Sequence, residues 1–541
     1  MSDGGGTSFL KHARTFAGLT LVSRVLGLVR DAVIVRILGV SGLGTAFGIA
    51  FQFPNTFRRL FGEGALSASL IPEYAGLLKN DPTLAHRFAS LTVGVMAAGL
   101  GGVVLVLELG LLALLWLADV PEDGRRALVL LAAMLPYMPL VCITAALGGM
   151  LQTHGRFAAQ AGAPIILNLC MIVAAAGSAY ALGAPAETVA LAVAAAVSLA
   201  GVLQVLWCLR DLRGTVHWTR DLEGAAVPAR RMFRRMVPVV LGLGTIQIAT
   251  LIESWVIVAW PLYQGPTISG HPYPLDEAAG AALYNAQRLY QFPLGIFGIA
   301  LATAVFPTLA RLADEPAAFA ATLRRSIRLA LFMGVPATLG LIWVSRDLTA
   351  VVYQGGAVDA EDTRRMAECL GMYAPLVGTY SLTHVLTRAF YARGDTSLPT
   401  RISIATVVLG LVLGTSLMWI LRERGLALGG SLAAVVQIVW LVRAADARLG
   451  GGPAGPIFNA GTLGALARIG ACGGVMLLAL AGFSLLWPHE EGVSVAAHAV
   501  RLSADVMAGG AAYLGATALL CREDLRTLLN RSPRRAPISP S

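Results

Sequence analysis

Five arginines lie inside stretches of sequence that are otherwise apolar enough to cross a lipid bilayer. They are Arg24, Arg30, Arg58, Arg59 and Arg288. A charge at bilayer depth costs about 2.5–3.5 kcal/mol even on a lenient insertion scale, so such residues normally face a water-filled cavity or a partner. Guanidinium groups stay ionised and donate in pairs to phosphate oxygens. The set therefore predicts a cavity that binds an anionic group such as a diphosphate.

Each arginine also has a simpler interpretation. A long cationic side chain can extend to the membrane surface, or it can pair with a neighbouring acid such as Asp31 or Glu63. We assign Arg36, near the outer end of the first helix, to the membrane surface. The simpler interpretation can explain any one of these arginines, but it is a poorer explanation for all five together. Our hypothesis is therefore that they line a cavity. Asp31 and Glu63 become candidates for ion coupling or gating.

A third candidate for coupling or gating is Glu253, an isolated acid in the apolar segment TIQIATLIESWVIV. An intramembrane carboxylate of this kind either binds a coupling Na⁺ or H⁺ or pairs with a cavity arginine, and both alternatives stay open. Glu108 is a weaker case. His384 and Arg388 are one helical turn apart and are candidates to line the second half of the protein.

Residues that bend helices lie close to these arginines. They are Gly27, Pro54 and Pro293. A membrane tolerates such residues where the backbone lines a cavity, which makes them hinge candidates. Close packing of helices through small residues explains them equally well.

The composition is that of a membrane protein. The chain has 541 residues, of which 56% are hydrophobic and 13% charged, and its mean hydropathy is +0.70. These values are too apolar for a soluble globule. The net charge of +10 comes mostly from short segments between apolar runs, where basic residues set orientation in the membrane. We therefore predict no nucleic-acid partner.

Windows of about 20 apolar residues predict fourteen transmembrane helices. They lie near 15–38, 43–70, 88–118, 127–151, 160–183, 187–209, 236–260, 280–310, 326–345, 366–391, 399–421, 425–444, 464–487 and 496–520. If the N-terminus is cytoplasmic, the inner loops are rich in arginine and the outer loops are poorer in it or mixed with acids. This bias predicts that both termini are cytoplasmic.

An internal repeat divides the chain. FQFP at 51–54 recurs as YQFP at 290–293, and Gly155-Arg156 recurs as Gly394-Asp395, both after 239 residues (from 54 to 293 and from 155 to 394). The copies have the same sidedness, which indicates a parallel repeat about an axis along the membrane normal. We therefore predict an all-α polytopic membrane protein with two six-helix lobes around a central cavity, plus helices 13 and 14.

This organisation predicts five regions of the chain. They are an N-lobe of helices 1–6 (1–210), a basic cytoplasmic linker (211–235), a C-lobe of helices 7–12 (236–448), helices 13 and 14 (449–521) and a cytoplasmic tail (522–541). Motifs of a phosphate-binding loop, a zinc protease or a serine hydrolase are lacking. We therefore expect a transporter without a cofactor, driven by an ion gradient or by the membrane potential.

Five segments resemble one known family, the MurJ (MviN) lipid II flippases of the multidrug/oligosaccharidyl-lipid/polysaccharide exporter superfamily. They are SRVLGLVRD (23–31), FPNTFRRLFGEGALSASLIP (53–72), GRFAAQAGAPIILN (155–168), YNAQRLYQFPLGIFGIALATAVFPTL (284–309) and FYARGDTSLP (390–399). The resemblance implies movement of lipid II, an undecaprenyl-diphosphate-linked peptidoglycan precursor, from the inner to the outer leaflet of the bacterial cytoplasmic membrane. It further implies alternating access and a groove at helices 13 and 14 for the lipid tail.

Carried over by position, the resemblance implies that Arg24, Arg30, Arg59 with adjacent Arg58, and Arg288 contact the diphosphate and nearby sugars. The chain departs from the family pattern at Thr45 and Gln287, where relatives often have acids. Some relatives have a sodium site with an acid on helix 11, where this chain has only hydroxyls such as Thr406 and Thr415. The coupling ion, Na⁺ or H⁺, therefore stays open. We expect a monomer that can contact other proteins of cell-wall synthesis or division.

Other functions remain as alternatives. Export of another polyprenyl-diphosphate-linked glycan would use the same cavity, whereas export of cationic drugs is disfavoured because arginines repel cations. A membrane-embedded enzyme acting on a lipid-linked phosphate would need clustered catalytic groups, and the candidates His154, His271 and Asp395 are spread over both predicted sides. A scaffold for cell-wall synthesis would not need the cavity.

Overall fold

The chain is almost entirely helical. The computed structural model describes residues 4–60, 66–450, 455–488 and 494–522, and for residues 4–17 and a few positions inside other helices it describes the backbone alone. Within these ranges the only sheet is a hairpin of β1 (Thr267–Ile268) and β2 (His271–Pro272). The predicted all-α class is confirmed.

Contacts divide the chain into two compact units, Met1–Asn285 with Gly355–Asp359, and Ala286–Gln354 with Ala360–Ser541. The helices of the first unit are α1 (Gly4–Leu38), α2 (Gly42–Phe57), α3 (Leu66–Asn80), α4 (Pro82–Leu117), α5 (Glu122–Met134), α6 (Tyr137–Thr153), α7 (Ala158–Ala176), α8 (Ala186–Asp211), α9 (Ala226–Ile252) and α10 (Trp260–Gln264). The first turns of α11 (Ala279–Leu294) also belong to it.

The second unit contains the rest of α11 and nine further helices. They are α12 (Ala300–Arg311), α13 (Pro316–Trp343), α14 (Ser345–Tyr353), α15 (Ala360–Tyr373), α16 (Pro375–Ala392), α17 (Ser397–Leu421), α18 (Glu423–Arg448), α19 (Ala460–Leu486) and α20 (Val495–Leu520). The predicted region boundaries at 210, 235, 448 and 521 stay predictions.

Eight helical stretches of the described chain are long and apolar enough to cross a membrane. They are Pro82–Leu117, Glu122–Thr153, Ala158–Ala181, Ala186–Leu212, Pro316–Trp343, Ser397–Leu421, Glu423–Arg448 and Ala460–Leu486. The remaining predicted spans include the arginine-bearing or interrupted helices α1, α2 and α11. The eight stretches are consistent with fourteen spans, and the exact number stays a prediction.

Several predicted spans are interrupted or contain wider helical turns. The predicted span 127–151 is two helices, because α5 ends at Met134 and α6 begins after Pro136, whose nitrogen cannot donate a hydrogen bond. The predicted span 43–70 has its first helix end at Phe57. The predicted span 280–310 widens into a π-helical segment, Gly295–Ile299, between α11 and α12. Such wide turns often occur at functional positions.

Each unit has its own apolar core. In the first unit α6 is buried along almost its whole length, and Met138 and Leu147 are fully enclosed. In the second unit Phe319 and Phe390 are fully buried in one cluster, while α19 and α20 pack against α13 in another that includes Phe332. The cores leave many apolar side chains exposed on α4, α8 and α17, as expected for helices that face lipid.

Candidate functional site

Arg30 is the centre of a buried polar network in the first unit. Only 7% of its surface is exposed. Its Nη2 and Nε atoms donate to Asp31 Oδ1 at 2.6 and 3.0 Å, and its Nη1 donates to Asn168 Oδ1 at 2.9 Å. The guanidinium carbon lies 5.3 Å from the centre of the Phe51 ring, a cation–π distance. The charge of Arg30 is therefore neutralised and held in one direction.

Local packing of α1 against α7 creates this network. Gly27, one turn before Arg30, brings α1 close enough that an added Cβ would lie 3.7 Å from Asn168 Nδ2. The same amide nitrogen donates to the Ser23 carbonyl oxygen at 3.0 Å. Asn168 thus binds the backbone of α1 with one end of its amide and Arg30 with the other.

A small pocket opens beside Arg30. Arg30 and Asp31 line it together with apolar side chains from α1 and α2, and Tyr284 and Asn285 of α11 add a polar edge. All the lining residues belong to the first unit. The arrangement offers one cation, one carboxylate, an amide and a tyrosine in an otherwise apolar pocket, which suits an anionic group with an apolar neighbour.

The other arginines predicted in the first unit lie elsewhere. Arg24 is exposed on α1, beside the exposed side chains of Val22 and Val25. Arg58 and Arg59 are half-buried just after α2, and Arg58 Nε donates to Asn55 Oδ1 at 2.9 Å. Arg24, Arg58 and Arg59 do not line the Arg30 pocket.

Arg58 and Arg30 nevertheless lie near one buried group. This group is the Tyr137 hydroxyl, at the start of α6. Arg58 therefore contributes positive charge to the same interior region, although it approaches it from the end of α2.

The three acids predicted to take part in ion coupling or gating lie in different surroundings. Asp31 is the ion-pair partner of Arg30, and its role in coupling or gating stays a prediction. Glu63 lies outside the described residues. Glu253 begins the π-helical segment Glu253–Val258 and is half-buried. Its carboxylate forms neither a hydrogen bond nor an ion pair with any residue that the structure describes, while its neighbour Ser254 donates to Gln52 Oε1 at 2.7 Å.

In the second unit the predicted residues lie on α11 and α16. Arg288 is half-buried on α11, five residues before Pro293. Arg388 of α16 lies over the Phe306 ring at 5.4 Å, and its Nη2 donates to Thr303 Oγ1 at 3.5 Å. His384 is half-buried one turn earlier.

The two repeated prolines have similar surroundings. Pro54 lies inside α2, and the helix widens into a π-type turn four residues later, at Arg58. Pro293 lies inside α11, two residues before Gly295–Ile299. A proline removes one helical hydrogen bond and makes such widening easier. Whether Pro54, Pro293 and Gly27 are hinges stays a prediction.

Sequence reasoning missed Asn168, Phe51, Tyr284 and Asn285 as residues of the pocket. Three of the four lie in the segments that carry the family resemblance. An asparagine in the apolar run PIILNLCMIV was a usable signal, because a buried amide needs hydrogen-bond partners. Thr45, where the chain departs from the family pattern, does not line the pocket and is fully buried.

A family model described as lipid II flippase MurJ matches residues 34–495. The chain belongs to the MurJ family. Among curated MurJ relatives, the probable lipid II flippase MurJ of Rhizobium tropici is 34% identical over 443 residues, which cover 80% of each chain. That of Vibrio cholerae is 32% identical over 452 residues, 80% of this chain and 82% of the relative.

Solved structures agree on the MurJ fold. A structure titled lipid II flippase MurJ, inward closed conformation, matches with a TM-score of 0.76 at 20% identity and covers 95% of this chain and 99% of its own. An inward-facing MATE family transporter of the same superfamily matches with a TM-score of 0.64 at 15% identity, covering 80% and 98%. The predicted superfamily fold is thereby confirmed.

Proposed function

We propose that this protein is a lipid II flippase, which carries the diphosphate-linked headgroup of the peptidoglycan precursor across the cytoplasmic membrane while the polyprenyl tail stays in lipid. Membership of the MurJ family supports the assignment. The observation that carries it at residue level is Arg30, a buried guanidinium with fixed orientation at the wall of a pocket. A planar fork of this kind matches phosphate oxygens.

The Arg30–Asp31 pair suggests how substrate binding proceeds. Without a ligand, Asp31 satisfies two of the guanidinium N–H groups. A diphosphate entering the pocket competes with Asp31 for these donors, so binding exchanges one anionic partner for another. Because Asp31 neutralises it, Arg30 can stay buried without a ligand and avoid the full desolvation penalty of an unpaired charge.

Arg24, Arg58, Arg59 and Arg288 complete the proposed headgroup site at other stages of an alternating-access cycle. Arg24, on an exposed face of α1, suits a first encounter with the headgroup. Arg58 adds charge near Tyr137. Arg288 provides the corresponding cation on the repeat-related helix α11.

The test measures how much lipid II becomes accessible in the outer leaflet, in cells or in reconstituted vesicles. Arg30→Ala, Arg24→Ala and Arg288→Ala should each reduce transport strongly, and Arg30→Lys should not restore it, because an ammonium group lacks the planar fork. Arg125→Ala is the matched control, since Arg125 is exposed and does not line the pocket. Normal transport by the three alanine variants at normal expression would overturn the proposal.

Native mass spectrometry of the purified protein separates lipid II from other substrates. Lipid II should be retained by the unmodified protein and lost in Arg30→Ala. Retention of a different polyprenyl-diphosphate glycan, with no displacement by added lipid II, would favour the alternative exporter function.

Glu253 is our proposed site of ion coupling. Its carboxylate lies at the start of a π-helical turn in the apolar part of the first unit, where a bound Na⁺ or H⁺ would neutralise it. Transport into vesicles with an imposed Na⁺ or pH gradient identifies the ion. Glu253→Gln should remove the dependence on that gradient, and an unchanged dependence would exclude this residue.

Both termini are proposed to be cytoplasmic, because the predicted inner loops carry most of the arginines. Reporter fusions after residue 541 and before residue 1 test this orientation. Activity of a periplasm-specific reporter at either end would contradict it.

A further inference from the structure

Thr45 of α2 makes a buried hydrogen bond to the beginning of another helix. The backbone N–H of Ala281, in the first turn of α11, donates to Thr45 Oγ1 at 2.9 Å. Thr45 has no exposed surface, and Ala281 is buried as well. The two residues are 236 positions apart in the chain, so this bond exists only in the folded protein.

The bond caps the first turn of α11 from a distant part of the chain. The first N–H groups of a helix have no acceptor within the helix itself. Near the start of α11, Ala278 donates to Asp276 Oδ1 at 3.1 Å and Ala279 donates to the Asp276 carbonyl oxygen at 3.2 Å. The N–H of Ala281 instead donates to a side chain of another helix, α2. An N-cap residue normally accepts a hydrogen bond from the first turn of the helix that it precedes. Thr45 accepts such a bond from a neighbouring helix instead.

Gly280 permits the close approach that this bond requires. A Cβ atom at Gly280 would collide with Thr45 Cγ2 and lie 2.9 Å from Val258 Cγ1. One turn further along α2, a Cβ at Gly48 would lie 3.5 Å from the Tyr284 ring. The first turns of α11 thus pack directly against α2, and Thr45 makes a polar contact between them.

We propose that Thr45 is a positioning residue for the headgroup pocket. By fixing the first turn of α11, its hydroxyl places Tyr284 and Asn285 at the polar edge of the pocket that Arg30 lines. This inference rests on the proposed function, because the placement of that edge matters to transport only if the pocket receives the diphosphate headgroup.

The required chemistry is a small side chain with a hydrogen-bond acceptor. An oxygen near the N-terminus of a helix interacts favourably with the N–H groups and with the positive end of the helix dipole. Serine retains this oxygen and aspartate strengthens it, whereas valine has the shape of threonine without the acceptor. The series Thr45→Ser, Thr45→Asp and Thr45→Val therefore separates capping from packing.

Amide hydrogen exchange of the peptide covering residues 279–285 reports the bond directly and needs no substrate. Thr45→Val should speed exchange there by about tenfold, the factor expected from losing one typical hydrogen bond. Thr45→Ser should remain close to the unmodified protein, and Thr45→Asp should exchange more slowly. Thr56→Val is the matched control, because Thr56 is also buried on α2 but donates within its own helix, to the Gln52 carbonyl oxygen at 2.9 Å.

Transport of lipid II is the second measurement. Thr45→Val should lower the transport rate about tenfold with exchange in the remaining helices unchanged, and Thr45→Ser should restore it. Equal exchange at 279–285 in Thr45→Val and the unmodified protein would overturn the inference. If Thr45→Val does not fold, faster rather than slower exchange in Thr45→Asp would overturn it instead. A changed exchange rate combined with normal transport in both Thr45→Val and Arg30→Ala would refute the proposed function and leave the cap intact.

Discussion

Arg30 Nη2 and Asp31 Oδ1 are 2.6 Å apart, with side chains that are 8% and 10% exposed. Adjacent residues in a helix point about 100° apart, so their side chains rarely meet. Here the Arg30 side chain bends towards Asp31, and its Nη1 atom donates to Asn168 Oδ1 of α7 at 2.9 Å. The pair is a neutral unit built into the wall of the proposed headgroup pocket.

Removing Asp31 should destabilise the protein. Asp31→Ala leaves the Arg30 charge buried without its ionic partner, and breaking a buried pair in this way costs about 3–5 kcal/mol. The double variant Arg30→Met/Asp31→Ala should recover much of that loss, because it removes both charges. Thermal unfolding in one detergent measures both effects. Equal unfolding temperatures for Asp31→Ala and the unmodified protein would show that the pair adds nothing to stability.

Asn168 should matter for both stability and transport. Asn168→Leu removes the acceptor of Arg30 Nη1 and the donor to the Ser23 carbonyl oxygen. Leaving a buried donor unsatisfied costs about 1–3 kcal/mol, and Arg30 loses its fixed direction. Leu169→Ala serves as control, since Leu169 is the exposed neighbour on the same helix. An Asn168→Leu protein that transports lipid II normally would contradict the role given to the network.

Glu277 should make stability depend on pH. Burial, the nearby Asp123 carboxylate and its hydrogen bond, and Asp276 raise the pKa of the Glu277 carboxyl, against the opposing charge of Arg126. A raised pKa in the folded state means that this carboxyl favours folding when protonated, and that this contribution is lost as the pH rises through the raised value. Glu277→Gln is neutral at every pH and should therefore unfold at a higher temperature than the unmodified protein at neutral pH.

The difference between Glu277→Gln and the unmodified protein should disappear below about pH 4, the ordinary range of a glutamate carboxyl. Unfolding curves across this range measure it. Asp119→Asn is the control, because Asp119 is exposed and makes no hydrogen bond or ion pair with the described part of the chain. A Glu277→Gln protein that is less stable at neutral pH would mean that the charge of Glu277 is favourable.

Gly429 and Gly430 provide a matched pair for the packing of α17 against α18. A Cβ at Gly429 would collide with the backbone of Gly414, whereas a Cβ at Gly430 would meet nothing within 4 Å. Gly429→Ala should lower the free energy of unfolding by about 1–3 kcal/mol through overpacking. Gly430→Ala should be neutral or stabilising by up to about 1 kcal/mol, because alanine favours a helix over glycine. Similar effects of the two substitutions would contradict this close approach.

Much of the architecture was predictable. Apolar length and the 239-residue repeat indicated a two-part helical membrane protein, because a bilayer demands about 20 apolar residues per span. The interruption at Pro136 was not located, because it lies within a run that remains apolar throughout. Pro293, by contrast, was named as a residue that bends helices and lies two residues before the widened turn at Gly295–Ile299. Hydropathy measures transfer into lipid and carries no information on where a helix bends.

The sequence by itself determined which residues carry unusual chemistry: five arginines and a few acids in apolar surroundings, a pattern that local composition reveals because lipid excludes charge. Only the tertiary structure decided their partners. It joined Arg30 to Asn168 across 138 positions and Thr45 to Ala281 across 236, and it left Arg24 on an exposed face. Hydrogen bonds depend on distances of about 3 Å, and such distances between remote segments arise only when helices pack.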